Sequence, residues 1–153
     1  MYAVFAFERF PLGGMTPTNG NRSNAKTAYT YEVGANKDAS TTVNAKIGLM
    51  YVSEYYYSAT PDYWTLPGYN LNGNDYRKAR NDNWMNTGLK EWTISRISDD
   101  SVHTFGVEDI GEVFGGVVDD SYGFAVRPSF NLSSSIKFTS GEGTAANPIR
   151  INM

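Results

Sequence analysis

The stretch Glu91-Trp92-Thr93-Ile94-Ser95-Arg96-Ile97 decides how this chain is read. Its residues alternate in character with a period of two, the period an extended strand imposes on its side chains. Trp92, Ile94 and Arg96 fall on one face and Thr93, Ser95 and Ile97 on the other. A second run, Ala125-Val126-Arg127-Pro128-Ser129-Phe130-Asn131-Leu132, is also apolar and strand-like. The two runs bracket a mixed polar and aromatic segment, so the layout reads as a rigid frame presenting a variable surface. Trp92 and Phe130 are expected to be buried in one core.

Working outward, residues 102–107 and 111–118 predict short strands. Asp99-Asp100-Ser101 and Asp119-Asp120-Ser121 predict turns, because short polar side chains bond their own backbone there. Residues 136–139 and 148–151 predict the closing strands. Upstream, residues 46–52 are apolar on both faces and predict a buried strand. Ser53 follows as an expected N-cap, residues 54–59 predict a short Tyr-rich helix, and Thr60-Pro61-Asp62 ends it. Residues 70–75 read as a loop, 75–84 as a second short helix, and Gly88 as the start of a turn. Nearer the N-terminus, residues 1–10 read as a strand or a helix end. Residues 11–28 read as a Gly/Asn/Thr/Pro loop, 29–33 as a short strand and 34–44 as polar. The expected fold class is α+β: a twisted, mainly antiparallel sheet with few short helices and long loops. Residues 45–153 form the domain proper. Residues 1–44 are either its N-terminal part or the end of an upstream segment.

The chain has 153 residues, enough for one domain with a sizeable core. Thirteen basic residues against sixteen acidic ones give a net charge of −3, with no basic cluster of the kind nucleic acid binding requires. No apolar run is long enough to span a membrane. Residues 2–7 are too short, and lack a charged start, for a secretory signal. Two expectations stay open on that point: a fragment of a longer exported protein, or an intact cytoplasmic one. The chain has no cysteine, which removes disulfides, thiolate metal sites and Cys nucleophiles together.

Five motifs occur in order: Ala45-Lys46-Ile47-Gly48-Leu49-Met50-Tyr51-Val52-Ser53-Glu54-Tyr55, Asn83-Trp84-Met85-Asn86, Glu91-Trp92-Thr93-Ile94-Ser95-Arg96, Ala125-Val126-Arg127-Pro128-Ser129-Phe130, and Gly141-Glu142-Gly143-Thr144 with Asn147-Pro148. Together they resemble a C-terminal domain of Gram-positive surface and pilin-like proteins. The third and fourth also resemble the end of the C-type-lectin-like fold, shared by formylglycine-generating enzymes and by the receptor proteins that diversity-generating retroelements vary. The resemblance implies a C-type-lectin-like scaffold at the cell surface or outside the cell. Its oxidase branch holds copper with paired cysteines, which this chain lacks, so the implied role is noncatalytic. No cofactor is expected.

The remaining candidates are weighed by what each side chain requires. Arg127 precedes Pro128 in an apolar run, so it is expected to tie loop carbonyls or a carboxylate to the frame, with an anionic ligand as the alternative. His103, the sole histidine, lacks a sequence motif supplying a catalytic partner and a second metal ligand, and is expected to be a polar strand or loop residue. The Asp99-Asp100 and Asp119-Asp120 pairs suit turns better than acid–base catalysis or calcium. If their turns share one end of the sheet, they make an acidic surface. Asn70-Leu71-Asn72-Gly73-Asn74-Asp75 resembles half a calcium loop without the distal Glu. The aromatic segment holding Tyr55, Tyr56, Tyr57, Tyr63, Trp64, Tyr69, Tyr76 and Trp84 is expected to divide between core and recognition surface.

The expected function is noncatalytic binding of a protein or glycan, displayed from residues 75–86 and 96–122. The candidate contacts are Tyr76, Arg80, Asn86, Arg96, Asp99 and Asp100. His103, Glu108, Asp109, Glu112 and Asp119 complete them. The rival expectation is a structural subunit of a pilus, sheath or surface filament, with a homo-oligomer implied. A hydrolase using the Asp pairs ranks third.

Overall fold

The computed structural model describes residues 8–11, 13–15, 23–33, 42–66, 74–98, 100–119, 123–132, 135–144 and 146–152. Strand β1 (Glu8–Pro11) pairs antiparallel with β3 (Thr42–Ala45). The central sheet has four strands in the order β2 (Gly14–Met15), β5 (Glu91–Ile97), β6 (His103–Val107), β7 (Val113–Val117). Its β5–β6–β7 part is antiparallel, as expected, but β2 runs parallel to β5, so the sheet is mixed. Two further pairs are antiparallel: β4 (Gly48–Leu49) with β8 (Pro128–Ser129), and β9 (Lys137–Ser140) with β10 (Arg150–Asn152).

The expected strand at 29–33 is instead part of helix α1 (Ala25–Glu32), which also takes up the end of the expected loop. The side chain of Asn24 accepts from the Thr27 amide at 2.9 Å and caps it. Ala25, Ala28 and Glu32 are its buried positions, and their spacing is that of one helical face. Tyr and Thr favour strands locally, but packing on the sheet overrides that preference.

The expected strand at 46–52 shrinks to β4, with Lys46 and Ile47 exposed. Helix α2 (Val52–Tyr57) begins where that strand was expected to end. Its N-cap is Tyr51 rather than Ser53. The Glu54 carboxylate accepts from the Tyr51 amide at 2.8 Å, closing the first turn from the N3 position. Helix α3 (Asn74–Asp82) lies close to the expected 75–84.

The core lies between α1, α2 and one face of the central sheet. Met15, Met50, Val52, Tyr55, Tyr56, Ile97, Phe105, Val107 and Val113 form it with small alanines from the helices. The β5 alternation holds, but the face turned to this core is Glu91, Thr93, Ser95 and Ile97. Trp92 is only half-buried, and Phe130 is 47% exposed, so the two do not share one core. Trp92 instead packs on Phe124 at 4.1 Å, and Phe114 stacks with both. Within the strand-like run at 125–132, β8 and a bridge from Ala125 to Glu91 are extended pairings.

The register of β5 against β6 shifts between Trp92 and Arg96. There the Thr93 hydroxyl donates to the Phe105 carbonyl at 2.6 Å, and the Ile94 amide donates to the Met50 carbonyl at 2.9 Å. Polar side chains on the buried face thus meet backbone groups that the ladder leaves unpaired.

Candidate functional site

The structure divides the expected contact residues between the two ends of the central sheet. Asp100, His103 and Asp119 lie at the β5–β6 turn and the end of β7, with Arg96 one pairing inward opposite Thr104. Arg80, Asn86, Glu108, Asp109 and Glu112 lie with the opposite end, around the β6–β7 turn. Six steps along β5, at about 3.3 Å each, separate the ends by roughly 20 Å. The expected contact residues thus fall into two separate groups. Asp99 lies outside the described residues.

Several expected contacts also serve the fold. Arg80 is buried and pairs with Glu112 at 2.8 Å. Asn86 donates to the Arg80 carbonyl at 3.2 Å and accepts from the Gly88 amide, helping set a turn in which Gly88 has φ +73°. Glu108 pairs with Lys90 at 2.6 Å. Tyr76 is half-buried, and Asp109 and Asp119 are exposed.

Asp100 accepts from the Val102 amide at 2.8 Å and meets His103 Nδ1 at 2.7 Å. These contacts, the amide first, hold its carboxyl below the usual range. The Val118 amide donates to the Val102 carbonyl, so Asp100 and Asp119 lie at the same end of the sheet. Among the described residues no group of three or more His, Asp or Glu side chains is placed to hold a metal.

A concave site lies elsewhere among the described residues. A cavity of about 380 Å³ is lined by Glu54, Tyr57 and Ser58 from α2 and the residue after it, by Trp84 and Met85, and by Ser129 of β8. A second, of about 280 Å³, adjoins it through Trp84, Met85 and Ser129, and adds Met50, Arg127, Pro128 and Phe130. The two make one groove between α2, the 83–86 turn and β8.

Each wall is fixed from beneath. Asn83 is buried: its amide donates to the Tyr55 carbonyl at 2.6 Å, and its oxygen accepts from the Ser58 hydroxyl and the Met85 amide. That network pins the backbone on both sides of Trp84, which stands 76% exposed. Tyr57 packs edge-on against Trp64 at 5.0 Å, and the Trp64 indole N–H donates to the Ala59 carbonyl at 2.8 Å. Arg127 donates to the Met85 carbonyl at 2.7 Å and pairs with buried Glu91, the tie to frame expected from sequence.

The N-terminal end of α2 is tied to the core by Glu32, which is 0% exposed. Its carboxyl accepts from the Ser53 amide and from the Ser95 hydroxyl at 2.5 Å, while Ser95 Oγ accepts from the Val52 amide. Burial pushes this carboxyl up to about 7, and the hydrogen bonds from Ser53 and Ser95 offset only part of that shift. The aromatic segment marked Tyr57 and Trp84 in advance, and the structure divides that segment between buried Tyr55 and Tyr56 and exposed Tyr57 and Trp84. Sequence reasoning named neither Glu54 nor Ser129 as site residues; nothing local marks them.

Comparison with protein-family models, with curated proteins and with solved structures finds no match. No helix among the described residues is long and apolar enough to cross a membrane.

Proposed function

We propose that this chain is a noncatalytic ligand-binding domain of an exported bacterial or phage-associated surface protein, built on a C-type-lectin-like scaffold and recognising a protein or glycan. The five ordered motifs support the scaffold and its setting, and the α+β architecture with three short helices among the described residues is compatible with it. A retroelement-varied surface is part of the same reading.

One observation carries the binding role: Trp84 is held out into solvent at the rim of a groove by a buried polar network beneath it. Large rigid aromatics on a fixed backbone lose little freedom on binding, which favours affinity. The site of choice is this groove rather than the loops at 98–119. The test is a binding screen of the full chain against glycans and purified surface proteins. A ligand lost on Trp84→Ala but kept on combined Asp100→Asn, Asp109→Asn and Asp119→Asn supports the groove. The reverse pattern returns the site to the loops.

A second reading, the filament subunit, is favoured by the β9–β10 hairpin. Phe138 is 63% exposed there, Ile149 and Ile151 are exposed too, and the hairpin strands pair with each other alone among the described strands. Open strand edges beside apolar side chains favour self-association. Light scattering that rises with protein concentration, and is abolished by Phe138→Ser, supports that reading.

A further inference from the structure

We infer that the groove beside Trp84 takes an uncharged saccharide spanning more than one ring, an inference that rests on the binding role proposed above. The choice among ligand classes follows from charge, polarity and shape. Arg127 lines the groove, but its guanidinium is matched by the buried Glu91 carboxylate, so the pair adds no net charge. Glu54 lines the other lobe and leaves the groove net negative, which opposes phosphorylated, sulfated or sialylated ligands.

A purely apolar peptide side chain fits no better. It would cover the Glu54 carboxylate and the Ser129 hydroxyl without returning hydrogen bonds to them. A sugar ring offers both kinds of surface: its C–H faces lie on aromatic rings, and its hydroxyls both donate and accept. Trp84 and Tyr57 supply the aromatic surface, Glu54 an acceptor, and Ser129 a hydroxyl.

A quaternary ammonium is the remaining contender, since aromatics and a carboxylate attract cations. Such ligands are held by enclosing aromatic cages. Trp84, at 76% exposure, flanks an open trough instead. The trough's lobes of about 380 and 280 Å³ share Trp84, Met85 and Ser129, so a ligand crossing that boundary contacts both. Together they fall within the roughly 300–1,000 Å³ of small-ligand pockets.

The test is calorimetric and fluorescence titration of the full chain with neutral oligosaccharide series of one to six units: gluco-, manno-, galacto- and N-acetylglucosamine-based. Sialylated and phosphorylated sugars, and choline, are run beside them. At least one neutral series is expected to bind, with affinity rising from one unit to two or three. Trp84→Ala is expected to weaken that binding at least about tenfold, with an unchanged melting temperature. Tyr57→Ala and Glu54→Gln should weaken it less. If no neutral series binds, while choline, an anionic sugar or a purified protein binds and is lost on Trp84→Ala, the saccharide inference falls and the groove's binding role stands. If a ligand is found whose affinity Trp84→Ala leaves untouched, the role assigned to the groove falls with it.

Discussion

Glu32 and Glu91 are both shut away from solvent, at 0% and 4% exposure, and the fold satisfies them in opposite ways. Glu91 meets a cation: Arg127 reaches it, and the Thr87 hydroxyl donates to its other oxygen at 3.0 Å. Glu32 meets hydroxyl and amide donors at the start of α2. A buried carboxylate–guanidinium pair desolvates two charges, and each depends on the other. A carboxylate buried without a cation is drawn toward its protonated form by desolvation, which its neutral donors only partly offset. The first junction therefore depends on its partner and the second depends on pH.

The largest effect is expected from breaking the first junction. Arg127→Met strands the Glu91 charge and should destabilise by about 3–5 kcal/mol in denaturant unfolding. Arg127→Lys keeps the charge but loses the planar fork, and should fall between, at about 1–3 kcal/mol. Adding Glu91→Gln to Arg127→Met should recover part of the loss. If Arg127→Met melts like wild type, the pair is not holding β5 to the segment before β8.

The second junction should appear as a pH dependence. Glu32 holds its proton up to about pH 7 when folded, against an ordinary value of 4.5. The folded state binds more protons across that window, so stability falls as pH rises from 4.5 to 7 and levels off above it. At about 1.4 kcal/mol per pH unit the full fall is roughly 3 kcal/mol. Glu32→Gln should flatten that slope in melts taken from acid to pH 8. An unchanged slope would assign the dependence to another group.

A neutral buried contact should matter less than either. The Tyr55 hydroxyl donates to the Gly111 carbonyl at 2.9 Å, tying α2 to the β6–β7 turn. Tyr55→Phe removes that donor and should lower stability by about 1–2 kcal/mol. Hydrogen exchange at 108–112 should speed up in the same variant. Smallest of all, Trp84→Ala should stay within about ±0.5 kcal/mol, because its side chain stands in solvent. A larger loss would make Trp84 part of the frame and remove the argument for its presentation.

The contrast between the two carboxylates shows what was legible in advance. Arg127 was readable as a structural cation because it stands in an apolar run before Pro128, where a guanidinium needs acceptors. Its partner was not readable, since Glu91 lies 36 residues away and resembles any acidic strand end. Glu32 gave no signal at all: it sits in a Tyr/Thr-rich stretch that reads as a strand. Only the helix that forms there turns it inward. Half of the groove was marked by the aromatic segment. Its other wall, at Ser129 and Phe130, comes from far along the chain.

Local sequence was enough for the β5–β6–β7 meander, the polar turn between β5 and β6, the position of α3 and the absence of thiol chemistry. These follow from local periodicity, turn chemistry and residue inventory, which act over a few neighbours. Tertiary structure alone decided which face of β5 is buried, that residues 25–32 are helical, and that Trp84 and Ser129 share a groove. Those outcomes depend on which surfaces pack together and on which distant donors satisfy a buried polar group. Such pairings form across the fold, and no window of the chain contains both partners.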